Sequence, residues 1–433
     1  MTIKNNLYLN NCKSYFKDNF DELKKELDKP ATKGFFINTL KDNEFNILDL
    51  IDFKYDKSSL NPLSYYHYND HISDTLAYNL GLIYPQGIES SFSSYIFNEN
   101  NIKLIVDVCS APGGKSINFI NKYKDALIVS NDVNYKRALT INNNFERLGI
   151  DNAIITSLDT KELSNRLYNC ADLVILDAPC SGEGMVRKTD EVFDSYSDKY
   201  IDSLSLIQES LLDNAYDLLN NDSYLIYSTC TYSFKEDEDN ITKFLNKYKD
   251  IELVPIDCDN NSSSLPGTVK LSFLNNTEGQ YIAILHKKGI KKTINAKTLK
   301  PIKDSVVDKF IKDNLNVDGY YLYKENDRYY MSFKPLINIK SNILRMGIYL
   351  GEIINGRFNP NHFMYRANSL KGLYKYEYDL NDLEYEDYIK GLELKCDGLS
   401  NNFYHLTYKK YSVGFGKVSN GTIKNKYPKG LRK

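Results

Sequence analysis

Between residues 102 and 256, short apolar runs alternate with stretches of helical periodicity. "LIVDV" (104–108), "ALIVSND" (126–132), "AIITSLD" (153–159), "DLVILDAP" (172–179) and "YLIYSTC" (224–230) are nearly continuous in their apolar residues. A strand covered on both faces has this pattern, so each run predicts a buried parallel strand. Between the runs the spacing becomes helical. From 198 to 220, Leu204, Ile207, Leu211, Ala215 and Leu218 fall on one face. Strands in alternation with helices predict an α/β chain with a mostly parallel, doubly wound sheet. "GQYIAILHKK" (279–288) reads as a closing strand.

The flanks are less regular. "DELKKEL" (21–27) is helical within a mixed, Tyr-rich first hundred residues. "KKGIKKTINAKTLK" (287–300) is polar, basic and free of acids, and reads as a linker. "GYYLYKENDRYYMSF" (319–333) predicts a hairpin, and "YSVGFGKVSNGTIKNKYPKGLRK" (411–433) carries glycines at turn-like spacing. No internal repeat is visible.

A length of 433 residues implies about two to four domains. Apolar content of 42% and charged content of 26% are ordinary for a soluble globular protein. The net charge of −2 hides a division: acids outnumber bases over residues 1–288, and bases outnumber acids over 289–433. Such asymmetry suggests a basic module that holds a polyanion, attached to an acidic body. No 18-residue apolar stretch exists, which argues against a membrane span. The start, "MTIKNNLYLNNCKSYF", lacks a signal peptide's apolar core. The seven cysteines form no CxxC pair, so reduced thiols, a cytoplasmic setting and no metal are expected.

"CSAPGGKS" (109–116) resembles a phosphate cradle at first sight. A triphosphate loop needs Gly-x4-Gly-Lys-Ser/Thr, however, and the first glycine's place holds Cys109. The Gly-x-Gly-x-x-Gly spacing of a nicotinamide site is also absent. What remains is a strand ending at Asp107–Val108, a turn with Gly113 and Gly114, and a helix. Ligands of open α/β sheets bind at the carboxyl ends of strands, where a helix N-terminus offers N–H groups to a carboxylate. Asp132 and Asp159 close the next two strands, and an acid there can accept hydrogen bonds from ribose hydroxyls. A nucleoside with a carboxylate and no phosphate describes S-adenosyl-L-methionine. "LDAPCSGEG" (176–184) and "YSTCTYS" (227–233) each put a cysteine just past a strand, on the same sheet edge. A lone buried cysteine is usually a small apolar residue; two beside an acid and a ligand loop point to chemistry.

"DVCSAPGGKS", "LDAPCSGEG" and "YSTCTYSFKEDEDN" resemble successive motifs of the Nop2/Sun RNA cytosine-5 methyltransferases. "YPQGIESS" (84–91), "NDVNYKRALTINNNFERLG" (131–149) and "TEGQYIAIL" (277–285) resemble that family's flanking motifs. The basic end, with "ILRMGIYLGEIINGRFNPNHFMY" (343–365), is similar to the C-terminal modules of the family's RsmF/YebU branch, which include a PUA-like RNA-binding domain. The resemblance implies a class I, Rossmann-like methyltransferase core over 99–288. Before it would lie an RNA-binding α/β extension (1–98). After it would come a linker with a small α+β domain (289–348) and a β-rich PUA-like domain (349–433).

By the same resemblance, Cys230 is the nucleophile, Cys180 assists release of the enzyme, and Asp177 meets both the cytosine edge and the cofactor. S-adenosylmethionine would lie against Cys109, Ser110, Ala111, Pro112, Gly113, Gly114 and Lys115, with Asp132, Arg137, Asp159 and Asp177 around it. "KEDEDN" (235–240) departs slightly from the family's usual sequence and is expected to cap the helix that follows. The implied partner is RNA, small-subunit (16S) ribosomal RNA in the first place and transfer or large-subunit ribosomal RNA in the second, bound by a monomer. A reading of another class is a non-enzymatic RNA-binding assembly factor. DNA cytosine-5 methyltransferases share the chemistry but lack a Thr-Cys in the later strand, which is present here.

Overall fold

The computed structural model describes residues 5–259, 261–291 and 296–432. Part of the expected linker, 292–295, and the first four residues of the N-terminal stretch lie outside the described residues.

Two helices open the chain, α1 (Asn6–Phe16) and α2 (Phe20–Leu27). A four-stranded antiparallel sheet follows, built from Tyr55–Lys57, Ser64–His67, Gly34–Ile37 and Ile83–Pro85 in that spatial order. The helix Ile88–Ile96 then leads into the large sheet.

That sheet has nine strands. Five are parallel: β1 (Leu104–Asp107), β2 (Leu127–Asn131), β3 (Ala153–Thr156), β4 (Ala171–Asp177) and β5 (Leu219–Thr229). β6 (Ile251–Val254), β7 (Val269–Leu271) and β8 (Gln280–Lys287) complete one side, with β8 antiparallel to β5. β9 (Ile343–Met346) returns from the C-terminal region and pairs antiparallel with β3. The spatial order is β6-β8-β5-β4-β1-β2-β3-β9, with β7 also on β8. Strand order reverses between β1 and β4, and ligands of such sheets bind at that switch point.

The crossover helices α3 (Gly114–Lys122), α4 (Tyr135–Leu148), α5 (Thr160–Arg166), α6 (Asp198–Leu218) and α7 (Glu238–Lys247) cover the sheet. Because side chains alternate along a strand, the apolar runs feed two cores. Val106, Val129, Ile154 and Val174 join one, and Ile105, Ile128, Ile155 and Ile175 join the other. The sequence reading runs the helix to 220 and starts the strand at 224, yet α6 passes into β5 at Leu219 without a loop. The pairing of β5 with β4 is irregular there, and Asp222 takes a φ of 53°, so a bulge absorbs the polar residues.

The expected hairpin forms as Tyr321–Glu325 and Arg328–Ser332. It belongs to a four-stranded sheet with Ile348–Ile354 and Arg357–Pro360. This sheet runs across residue 349, where the sequence reading divides the C-terminal region. A five-stranded sheet over residues 377–425, with the helix Asp382–Lys390, ends the chain.

The first and last units are not independent appendages. Phe35, Ile37, Leu80 and Ile83 share one apolar core with Leu380, Tyr385, Leu406 and Val418. Arg366 stitches the same junction. Its guanidinium donates to the carbonyls of Asn79 (3.0 Å), Arg147 (2.7 Å) and Val413 (3.3 Å). Among the described residues, no helix is long and apolar enough to cross a membrane.

Candidate active site

The loop after β1 is shaped by one glycine. Gly113 takes a φ of 105°, which an L side chain rarely adopts, and a Cβ there would lie 3.3 Å from the Phe145 ring. This turn starts α3, and the serine and lysine of "GKS" both point away from any phosphate role. Ser116 faces inward, donating to Asp107 Oδ2 at 2.7 Å and meeting the hydroxyls of Ser110 (2.9 Å) and Ser130 (2.7 Å). Lys115 Nζ lies 2.7 Å from Asp177 Oδ2, at the end of β4. The resemblance to a phosphate loop therefore ends at the letters.

Asp107 is fully buried, and its Oδ1 has no partner among the described residues. Burial raises this carboxyl to about 7, and the hydrogen bond from Ser116 only partly opposes that. The side-chain amide of Gln86 is similarly buried without a partner, with Oε1 3.0 Å from where a Cβ on Gly114 would stand. Neither Asp107 nor Gln86 was among the residues singled out from sequence. Each looks there like an ordinary strand-end polar residue, and only an unpaired polar atom in three dimensions marks it.

The loop is tied to the next strand end. Asp132, buried beyond β2, accepts from Asn134 N–H at 3.0 Å and lies 3.4 Å from Arg137 Nη2. Arg137 also donates to Ala111 O at 3.1 Å, so it links the loop to Asp132. Cys109 is partly buried, and desolvation pushes its thiol well up. Asp159 is exposed and lies beyond the end of β3. It caps α5 by accepting from Lys161 N–H (2.9 Å) and Glu162 N–H (3.4 Å).

Cys180 and Cys230 lie on adjoining loops past β4 and β5, with Sγ atoms 3.0 Å apart. The backbone N–H of Cys230 donates to Cys180 Sγ at 3.2 Å. Two thiols this close cannot both ionise freely. Contact with Cys230, and then burial, raise the Cys180 thiol well above its ordinary range. Asp177 stands beside the pair on β4. Ser228 Oγ donates to its Oδ1 at 2.8 Å while Lys115 holds Oδ2. Cys180, Cys230, Asp177 and Lys115 thus meet at one edge of the sheet.

One expectation is overturned here. The acids of "KEDEDN" do not cap α7: Asp237, at its N-cap position, makes no side-chain cap hydrogen bond. Glu236 and Asp237 are instead fully buried. Asp237 accepts from Thr229 Oγ1 at 2.6 Å and pairs with the buried Lys270 at 3.2 Å. Glu236 reaches back to the Cys180 loop through Ser181. The chain turns inward directly after Cys230, so these acids face the site and not the helix end.

Two family models match the chain. One, described as 16S rRNA methyltransferase RsmB/F, matches residues 94–286, and the other, the methyltransferase RsmF PUA domain, matches residues 375–433. Both matches are consistent with the RsmF-like branch of the Nop2/Sun methyltransferases. It is similar to a ribosomal RNA small subunit methyltransferase F of Psychromonas ingrahamii, 25% identical over 78% of this chain and 75% of the relative. Over a shorter stretch it is 38% identical to the 25S rRNA (cytosine-C(5))-methyltransferase nop2 of Schizosaccharomyces pombe, covering 35% of this chain and 26% of that one. The solved structure of NSun6 from Pyrococcus horikoshii with SFG shares the fold. Its TM-score is 0.59 at 19% identity, over 66% of this chain and 99% of that one. The methyltransferase core and the β-rich end of the chain therefore agree with the fold expected from sequence.

Proposed function

We propose that this enzyme is an S-adenosylmethionine-dependent RNA cytosine-5 methyltransferase acting on small-subunit ribosomal RNA. The observation that carries the reading is the thiol pair at 3.0 Å beside the Lys115–Asp177 pair.

The residues around the Gly113 turn fit the cofactor. The free Oδ1 of Asp107 and the unpaired amide of Gln86 suit a ligand with an ammonium and a carboxylate, and Asp132 suits ribose hydroxyls. Lys115, Gly113, Gly114 and the 109–112 segment would line that ligand, with Arg137 bracing the loop. Asp159 would contribute only while also serving as a helix cap. S-adenosylmethionine, when bound, supplies an electrophilic sulfonium methyl group.

Cytosine C5 is a poor nucleophile until a thiolate adds to C6. In this reading Cys230 makes that addition, which moves electron density to C5 and divides one hard step into two. Asp177, fixed by Lys115 and Ser228, meets the N3 edge of the base, where a proton makes C6 more electrophilic. After C5 loses its proton, Cys180 attends the release of Cys230. The base must be unpaired or flipped out to reach this edge, and the basic C-terminal region supplies phosphate contacts.

The experiment uses small subunits from cells lacking this gene, incubated with the protein and S-adenosylmethionine. Digestion to nucleosides and mass spectrometry then quantify 5-methylcytidine. A gain is expected. No gain with cofactor binding intact would move the substrate to transfer RNA or to large-subunit RNA, for which the S. pombe relative is named.

A further inference from the structure

The loops carrying the two cysteines hold each other by an exchange of carboxylates. Glu183 belongs to the Cys180 loop. Its Oε2 accepts from Thr231 Oγ1 (3.0 Å) and Tyr232 N–H (3.0 Å), both beside Cys230, while the Tyr196 hydroxyl donates to its Oε1. Glu236 belongs to the segment after Cys230. Its Oε2 accepts from the N–H of Ser181 (3.0 Å), beside Cys180, and from Gln208 Nε2 (2.9 Å). Its Oε1 accepts from Ser181 Oγ at 2.5 Å. Ser181 Oγ and Thr231 Oγ1 then meet at 2.7 Å and close the ring.

Both carboxylates are fully buried, and none of these donors is a cation. Burying a carboxylate costs several kcal/mol unless its oxygens are well bonded. Two such groups in one small volume are an expensive way to join two loops, since neutral side chains would join them as well. What a carboxylate adds is directional hold on several donors at once. Glu236 grips both the N–H and the hydroxyl of the residue next to Cys180, and Glu183 grips the two residues next to Cys230. The loops also touch through Gly184 N–H to Cys230 O at 2.9 Å. At Gly184 a Cβ would lie 2.3 Å from Gly279, so no side chain fits between the loops and their neighbour.

We infer that Glu183 and Glu236 are positioning residues whose reciprocal hold on the opposite loop sets the spacing of the Cys180 and Cys230 sulfurs. The inference rests on the reading of Cys230 as nucleophile and Cys180 as its partner in release. Neither carboxylate is a catalytic residue in this scheme. They act through the backbone of the cysteine loops, and misplacement by ~1 Å at a reacting atom costs about a hundredfold in rate.

The test reads sulfur spacing apart from methyl transfer. The azo compound diamide takes two hydrogens from two neighbouring thiols and becomes the hydrazide, leaving a Cys180–Cys230 disulfide that intact-mass and peptide measurements detect. In Glu183→Ala and Glu236→Ala, cross-linking should slow about tenfold or more, and kcat should fall about a hundredfold with KM for RNA nearly unchanged. S-adenosylmethionine binding by calorimetry should be unaltered, and the isosteric Glu→Gln variants, which keep one acceptor oxygen each, should recover part of both rates. Wild-type cross-linking and kcat in the alanine variants would overturn the inference. If those variants lose cofactor binding and so fail to fold, the decision passes to Ser181→Ala and Thr231→Val, which remove donors without burying a vacancy at the acids. Wild-type cross-linking in these two overturns it equally. If the wild type forms no adduct with RNA containing 5-fluorocytidine while cross-linking still depends on Glu183 and Glu236, it is the assigned chemistry that fails and not the positioning.

Discussion

The Sγ atoms of Cys180 and Cys230 stand 3.0 Å apart although 50 positions separate them in the chain. The parallel pairing of β4 with β5 makes this possible, since it ends both strands at one edge and aligns Asp177 with Ser228. Contact with Cys230 and burial raise the Cys180 thiol above its ordinary range.

The roles proposed for the two thiols have a kinetic consequence. Cys230→Ser should abolish the covalent adduct with RNA containing 5-fluorocytidine, and Cys180→Ser should retain it and let the enzyme–RNA complex persist on ordinary cytidine. Denaturing gel electrophoresis reads both. If Cys180→Ser alone removes the adduct, the two roles are reversed.

The turn at Gly113 should tolerate no side chain. Gly113→Ala combines a φ of 105° with a Cβ 3.3 Å from Phe145. A cost of about 1–3 kcal/mol is expected, with S-adenosylmethionine binding weakened about tenfold. Calorimetric titration and thermal melting measure the two effects. Unchanged binding would remove this loop from the cofactor site.

Stability should fall as pH rises from the ordinary carboxyl range to about 7. Asp107 and Glu183 both have folded-state values raised by burial to about 7. Below their ordinary values they are protonated in both states and their contribution is fully present. Above, the unfolded chain releases the protons first, and the contribution is lost as pH passes through about 7. Asp107→Asn cannot ionise, so it should melt near the wild type at pH 5 and above it at pH 8. A variant that melts equally below the wild type at both values would contradict this.

The C-terminal module should prove inseparable from the N-terminal one. A chain ending at Tyr374 strips Leu380, Leu406 and Val418 from the core they share with Phe35, Ile37 and Ile83. It should melt lower by ~10 °C or more and tend to aggregate, because a large apolar face is exposed. Arg366→Met, which frees the carbonyls of Asn79, Arg147 and Val413, should cost about 3 kcal/mol in denaturant unfolding. A truncated chain with unchanged melting would show that the two units fold alone. The basic module's part in RNA binding is therefore better probed by charge substitutions than by truncation.

Much of the core was legible along the chain. Five apolar runs became five parallel strands because strands buried on both faces need uninterrupted Val, Ile and Leu, a demand local enough to read from spacing. The failure of the phosphate-loop spacing at Cys109 likewise followed from sequence, as did the two cysteines past adjoining strands. The early start of β5 at Leu219 was not legible, because a bulge can place polar residues within a strand and spacing does not reveal pairing.

Other features existed only once the chain had closed. "KEDEDN" has the look of a helix start, yet Glu236 and Asp237 turn inward because the loop after Cys230 packs against the loop after Cys180. Asp107 and Gln86 gained meaning as unpaired polar atoms, which no linear pattern shows. The core shared by residues 35–83 and 380–418 joins segments some three hundred positions apart, so neither segment alone carries its sign. Local periodicity determines which residues seek burial. Which buried groups meet, and which charges must then be shared, is decided by long-range packing.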